Sequence, residues 1–309
     1  MPSDPLPSIL CLHGSGTSAA IFKIQTIRLR RELQHRFSFV FIDAPFETDP
    51  GPGVLPVFAD AGPYFTWVDF ANLPPSHRSL ATKGSDGDGD GDGDGEGEIS
   101  ALQRAIRRGR TQLMPPRTVQ LLEKTIREQI ERDGRGFVGI IGFSMGGRMV
   151  AGLLLEQQQR LLEQQQQQQQ RLTAANGIMN SNGNGDGNDA DPGHDPRAID
   201  EEKLFKFAVF ICATSPPITK LHDLLDHESD GNRERDDKIT LPQIDIPTLH
   251  ILGLNDPWFA PGELLATTHF SPAKRTVRRL DMGHHLPVQQ KDNLVLVDGI
   301  LQMAQEVGV

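Results

Sequence analysis

Six short apolar runs, at residues 9–12, 37–42, 137–141, 207–212, 248–254 and 276–280, constrain the fold more than any other feature of the chain. Each is short, rich in branched or aromatic residues, and bounded by Gly, Pro or Asp, so each reads as a strand. A near-continuous apolar run such as "FAVFI" suits a strand covered on both faces. Helical patterns lie between them. "RTVQLLEKTIREQIERD" sets Val119, Leu122, Ile126 and Ile130 on one stripe, and Gly134 stops it. A second pattern begins at Met145, and residues 293–307 carry Leu294, Val297, Leu301 and Ala304 in register. Strands alternating with helices predict an α/β fold, a mostly parallel, doubly wound sheet with right-handed crossovers. The expected organisation is one domain over residues 1–309.

Three stretches break the alternation. Residues 84–98, "GSDGDGDGDGDGEGE", and the Asn- and Gly-rich residues 176–196 hold eleven of the 41 acids and no Lys or Arg. Such tracts bury too little apolar surface to offset the entropy of ordering, so residues 84–98 and 157–203 are expected to be disordered or low-complexity insertions. The second includes the glutamine run 164–170, itself compatible with helix, and a smaller polar loop spans residues 227–238. The net charge of −10 resides in these tracts, and the remainder is close to neutral. Nothing here calls for a basic partner or a nucleic acid. The alternating aspartates lack the twelfth-position glutamate and helical frame of a calcium loop.

Cys11 and Cys212 both sit in apolar runs and read as buried thiols in strands rather than a disulfide. That suits a reducing compartment. The stretch "MPSDPLPSILCLHG" has no basic head, and its apolar run is too short for a signal peptide. No run approaches the ~18 apolar residues of a membrane span. The expected setting is cytoplasmic.

The chemistry gathers around "GIIGFSMGGRMV", residues 139–150. In a chain with 31 glycines, the pattern Gly-x-Ser-x-Gly arises by chance in about one sequence in seven. Its context carries the weight: an apolar strand runs into Gly142-Phe143-Ser144-Met145-Gly146, and a helical pattern follows at once. This is the layout of a nucleophile elbow, with Ser144 held in a strained turn at the end of a strand and the glycines leaving room for neighbouring backbone. A serine needs a base to take its proton, and the base needs an orienting acid. In this fold both follow the serine along the chain. Asp256 stands just past a strand end in "HILGLNDPW", and "MGHHLPV" offers His284 and His285 after the next strand. His250 lies within a strand, and Asp281 sits on the wrong turn of chain to orient the base. The spacing alone leaves His284 and His285 open. An oxyanion hole needs two backbone N–H groups. Met145, after the nucleophile, supplies one; "LCLHGSGTS" supplies the other, from Ser15 or alternatively Gly16. The same loop lacks the Lys and spacing of a phosphate-binding P-loop.

Seven segments, in order, resemble the FSH-type serine hydrolases, an α/β-hydrolase family common in fungi: "LCLHGSGTSAAIF", "FVFIDAPF", "GPYFTWVDF", "GIIGFSMGGRMVA", "FAVFICATSPP", "HILGLNDPW" and "MGHHLPV". The resemblance implies a catalytic set of Ser144, Asp256 and His284, with His284 favoured because the family places its base after two small residues. Met282 stands where the family usually has glycine. It further implies a carboxylesterase or thioesterase acting on a small acyl ester or thioester, without metal or organic cofactor. Some members resemble thioesterases that release a polyketide, which would make a polyketide synthase carrier domain a partner.

Residues 44–116 cross from an early strand to the next helix with no clear strand of their own. Such a crossing is placed to form a lid and acyl pocket. Phe46, Tyr64 and Trp67, with Trp258 and Pro216, are the expected pocket lining, although aromatics in a long loop can equally serve to anchor it. Two other readings remain in view: a ligand-binding protein on a hydrolase scaffold, and a lyase on the same fold.

Overall fold

The structure, a computed structural model, describes residues 5–70, 111–179, 205–220 and 241–309. Six strands form one sheet: β1 (Ser8–Leu12), β2 (Ser38–Ile42), β6 (Gly139–Phe143), β7 (Phe207–Ile211), β9 (Thr248–Gly253) and β10 (Arg275–Leu280). Their spatial order is β10-β9-β7-β6-β1-β2, and every pairing is parallel. The order reverses between β1 and β6. Ligands in open α/β sheets bind at such a reversal, beyond the carboxyl ends of the strands.

Alternation along the strands explains why both faces are covered. In β1, Leu10 and Leu12 enter one apolar cluster, whereas Ile9 and Cys11 enter the other. The first cluster packs beneath α3 (Pro116–Asp133), α4 (Met145–Met179) and α5 (Phe259–His269). The second packs beneath α1 (Ala19–Gln25), α2 (Ile27–Leu33) and α6 (Gln290–Glu306). All five residues of β1, β6 and β7 are buried. Each large apolar side chain buried this way contributes roughly 1.5–3 kcal/mol. Pro116 starts α3 where its missing N–H costs nothing, and Gly134 ends it at φ 73°.

Two expectations need adjustment. The helix α4 continues through the glutamine run to Met179, so residues 157–179 are helical rather than disordered. Leu, Gln, Arg and Glu are good helix formers, and low complexity does not oppose a helix built from them. The core stops earlier: side chains are buried to Glu156, and those of residues 165–173 are exposed. The rest of that predicted insertion, residues 180–203, and residues 84–98 and 227–238 lie outside the described residues. Second, the 44–116 crossing has short strands. β3 (Phe46–Thr48) pairs antiparallel with β4 (Tyr64–Thr66), and β5 (Gln112–Leu113) pairs with β8 (Ile218–Thr219). Their two- and three-residue lengths gave no readable alternation.

Candidate active site

Ser144 lies at the turn from β6 into α4, at φ 51°, in the left-handed region that non-glycine residues avoid. Two constraints hold it there. Its N–H donates to Ile211 O at 2.9 Å, and its carbonyl accepts from Gly147 N at 3.0 Å. The flanking glycines are required by proximity. A Cβ on Gly146 would stand 2.2 Å from Leu12 O, and one on Gly142 would stand 2.5 Å from Gly147 N. The helix start is thereby pressed against the end of β1, next to the loop that follows it.

His284 comes from the loop after β10. Its Nε2 is 2.9 Å from Ser144 Oγ, and its Nδ1 is 2.8 Å from Asp256 Oδ2. These distances fit a serine hydroxyl donating to Nε2 and an Nδ1–H donating to the carboxylate. Asp256 is buried, and Trp258 N holds its other oxygen at 2.8 Å. Phe143 and Trp258 pack against the imidazole, with ring centroids 5.2 and 4.5 Å away. His285 faces elsewhere and closes its own turn: Nδ1 bonds Leu286 O at 2.8 Å, and Nε2 accepts from Gly283 N at 3.3 Å. Asp281 accepts from Asn255 Nδ2 at 2.8 Å, which ties the loop bearing Asp256 to the loop bearing His284.

The loop after β1 faces Ser144 from the other side of the reversal. Gly16 N–H donates to Phe65 O at 2.9 Å and is therefore engaged. Among the described residues, neither Ser15 N–H nor Met145 N–H meets an acceptor. Met145 also opens α4, where the helix dipole favours negative charge. Behind both residues lies Thr66, buried at 2% exposure. It accepts from Ser15 Oγ at 2.9 Å and donates to Met145 Sδ at 3.4 Å. His13 anchors the same loop. Ala44 N donates to its Nε2 at 3.0 Å, and its Nδ1 bonds Gly14 O at 2.7 Å. Burial lowers its pKa to about 4, so the ring stays neutral.

The expected aromatic wall is only partly a wall. Trp67 is fully buried, donates from Nε1 to His13 O at 2.7 Å and tilts against the His13 ring. It supports the loop and offers no surface to a ligand, which corrects its assignment to the pocket. Tyr64 spends its hydroxyl on Phe58 O at 2.5 Å, with Ala59 O at 3.0 Å, and so pins the 54–61 loop. Phe46 carries the Arg117 guanidinium over its ring at 5.1 Å. Both therefore act as anchors of the crossing. Trp258, half-exposed beside His284, borders the site, whereas the Pro216 carbonyl accepts from Arg148 Nε.

Sequence reading passed over Thr66, and read Cys212 as a buried strand thiol without placing it beside the acid and base. Cys212 adopts φ 48° at the end of β7, and its Sγ lies with an Asp256 oxygen and a His284 nitrogen, all within 4.8 Å of one another. Burial, then the neighbouring Asp256 charge, pushes the thiol pKa up, away from the thiolate a metal ion requires. Both His284 nitrogens also face protein partners. The set is thus a hydrogen-bonded acid and base with a protonated thiol packed against them. A left-handed cysteine has no sequence signature; the signal for Thr66 was a lone hydroxyl between aromatics in "YFTW".

A family model described as serine hydrolase (FSH1) matches residues 3–294. The chain is 26% identical over 303 residues to thioesterase FSL2 of Gibberella zeae, covering 96% of this chain and 92% of that one. It is 28% identical over 295 residues to esterase FUS5 of Gibberella moniliformis, covering 95% and 85%. It is also 28% identical over 291 residues to an Aspergillus terreus thioesterase named for dihydromonacolin L and lovastatin nonaketide synthase, covering 94% and 90%.

Proposed function

The chain belongs to the serine hydrolase (FSH1) family, and from that premise we propose that Ser144, His284 and Asp256 are the catalytic groups of an enzyme that hydrolyses acyl esters or thioesters. The observation that carries the reading is the single hydrogen-bonded line from Ser144 Oγ through His284 to Asp256, at 2.9 and 2.8 Å.

In this reading His284 Nε2 takes the Ser144 proton as Oγ attacks the acyl carbonyl. Asp256 holds Nδ1–H, fixes the tautomer and stabilises the imidazolium that forms. The carbonyl oxygen gains negative charge, which Met145 N–H and Ser15 N–H stabilise. The imidazolium returns its proton to the leaving alcohol or thiol, and an acyl ester remains on Ser144. Water then attacks that ester as His284 removes its proton. Hydroxide adds to the acyl carbon, and Ser144 leaves with the proton restored. No redox step or cofactor enters.

The substrate is a small acyl ester or thioester. The finer reading is a polyketide-type acyl chain delivered as a thioester by a synthase carrier domain in a cytoplasmic setting. The names of the fungal thioesterases support the first part, and two free buried cysteines suit the second. Among the described residues, no helix is long and apolar enough to cross a membrane. The deciding experiment is active-site labelling with a fluorophosphonate probe followed by peptide mapping. Label on Ser144 is expected, together with hydrolysis of acyl N-acetylcysteamine thioesters. A folded chain that takes no label would return the binding-protein reading to first place.

A further inference from the structure

Among the described residues, two that are not glycine hold a left-handed backbone: Ser144 at φ 51° and Cys212 at φ 48°. They stand at the carboxyl ends of neighbouring parallel strands, β6 and β7. L-residues avoid this region, and it persists only where the surroundings hold it. The first is the proposed nucleophile. The second changes where a side chain goes. Along β7, Phe207, Val209 and Ile211 enter the cluster beneath α1, α2 and α6, whereas Ala208 and Phe210 enter the other. Continued alternation would send residue 212 after Ala208 and Phe210. The left-handed turn instead keeps Cys212 on the side of Ile211, among Phe143, Met282 and Leu286. Its N–H donates to Ile251 O at 2.9 Å, which fixes the backbone there.

That placement puts the thiol behind the proposed acid and base. Sγ lies 3.7 Å from both Gly283 O and His285 O, the carbonyls of the residues on either side of His284. It also lies with an Asp256 oxygen and a His284 nitrogen, all within 4.8 Å of one another. Burial and the Asp256 charge raise the thiol pKa, so the group keeps its proton and faces these oxygens as a donor. Gly283 O already accepts from His285 N at 2.9 Å. Among the described residues, the thiol is the donor that meets His285 O. A glycine at this position would adopt φ 48° freely, but it would reach neither carbonyl.

We infer that Cys212 is a positioning residue for His284: its thiol bonds the backbone on both sides of the base and fills the space behind it, holding the ring in line between Ser144 and Asp256. Nothing is transferred to the sulfur. An S–H group is a weak donor, so it acts through geometry, and small displacements of a reacting group are costly in rate. Cys212 is buried behind the pair and away from the acyl group, so its effect belongs to turnover and not to substrate affinity. The effect on rate rests on the hydrolase reading given above; the effect on the hydrogen bond between His284 and Asp256 does not.

The test uses the full chain and three variants, Cys212→Ala, Cys212→Gly and Cys212→Ser, with p-nitrophenyl butyrate as the substrate. Cys212→Ala and Cys212→Gly should each lower kcat roughly 10-fold, with KM changed by less than about twofold. A serine hydroxyl restores a donor, so Cys212→Ser should return kcat to within about threefold of wild type. Glycine relaxes the left-handed turn, so Cys212→Gly should match or exceed Cys212→Ala in urea midpoint. A rate loss shared by the two then does not come from a weakened fold. The second readout is the downfield proton resonance of His284 Nδ1–H, identified by its loss in Asp256→Asn. It should be sharp in wild type and Cys212→Ser, and broadened by exchange with water in Cys212→Ala and Cys212→Gly. If kcat and this resonance are unchanged in both, the thiol only fills space and the inference falls. It falls equally if serine restores nothing that alanine loses. A wild-type chain that hydrolyses no ester and takes no fluorophosphonate defeats the hydrolase reading, while the proton resonance still decides whether Cys212 orders the pair of His284 and Asp256.

Discussion

Thr66 Oγ1 accepts the Ser15 hydroxyl proton across 2.9 Å and passes its own proton toward Met145 Sδ at 3.4 Å. One buried hydroxyl therefore touches both residues proposed to supply the oxyanion N–H groups. It also belongs to β4, whose Phe65 exchanges hydrogen bonds with Gly16 and Thr17. The spacing of the two N–H donors is thus set from the crossing and not only from the elbow. Thr66→Val keeps the shape and removes the hydroxyl. Removing an oxyanion donor outright costs about 100- to 1,000-fold in kcat, so misplacing two should cost roughly 10-fold, with KM nearly constant. Affinity for a boronic acid inhibitor should fall in parallel, and Thr66→Ser should restore both. Unchanged kcat in Thr66→Val would show that the hydroxyl only packs.

Ser144 combines the proposed nucleophile with a strained backbone at φ 51°. Two substitutions separate these properties. Ser144→Ala should lower kcat by roughly 1,000-fold or more and abolish fluorophosphonate labelling, without loss of fold. Ser144→Gly loses the same chemistry but relaxes the left-handed turn. Relief of about 1–2 kcal/mol is partly offset by the greater freedom of glycine in the unfolded chain. The Gly variant should therefore be about 1 kcal/mol more stable than the Ala variant in urea denaturation. Equal stabilities would mean that the turn stores no strain.

The inner strands of the sheet were legible because they are compact apolar runs, such as FAVFI in β7; the edge strand β10, RTVRRL, was legible only as a short segment with branched residues ending at Asp281. The predicted run at 137–141 and the observed β6 at Gly139–Phe143 overlap and are offset by two residues at each end. The site was legible where chemistry demands a residue type in a fixed context, as at Ser144 and Asp256. It was illegible where the determinant is three-dimensional. Trp67 reads as a pocket aromatic until its indole is seen to be buried against His13. Arg148, which no sequence pattern singled out, is buried with its guanidinium on Pro216 O and Gln112 Oε1. Thr66 contacts residues 51 and 79 positions away, and no local pattern encodes that.

The paired histidines make opposite predictions. His284 bridges Ser144 and Asp256, whereas the His285 ring bonds within its own turn. His284→Ala should lose roughly 1,000-fold or more in kcat/KM. His285→Ala should lose less than about 10-fold, by loosening the turn that presents its neighbour. Both rates are read on one p-nitrophenyl ester. Comparable losses would move the base assignment away from His284.

Acid should weaken the fold through two histidines remote from proton transfer. His13 is buried behind the loop after β1, and His250 is stacked on Phe210 and edge-on to Phe270, each 4.5 Å away by ring centroids. Burial lowers their pKa values to about 4 and about 3. In the unfolded chain both titrate near 6.5. Between 6.5 and about 4 the unfolded state therefore binds more protons than the folded one, and stability falls as pH falls. Each group contributes at most about 1.4 kcal/mol per pH unit, the whole effect being present above pH 6.5 and lost progressively below it. Urea denaturation from pH 7 to pH 4 should show that slope. His250→Phe keeps a ring between Phe210 and Phe270 and removes the buried base, so it should reduce the slope by roughly half in this window. A slope unchanged by the substitution would assign the acid sensitivity to other groups.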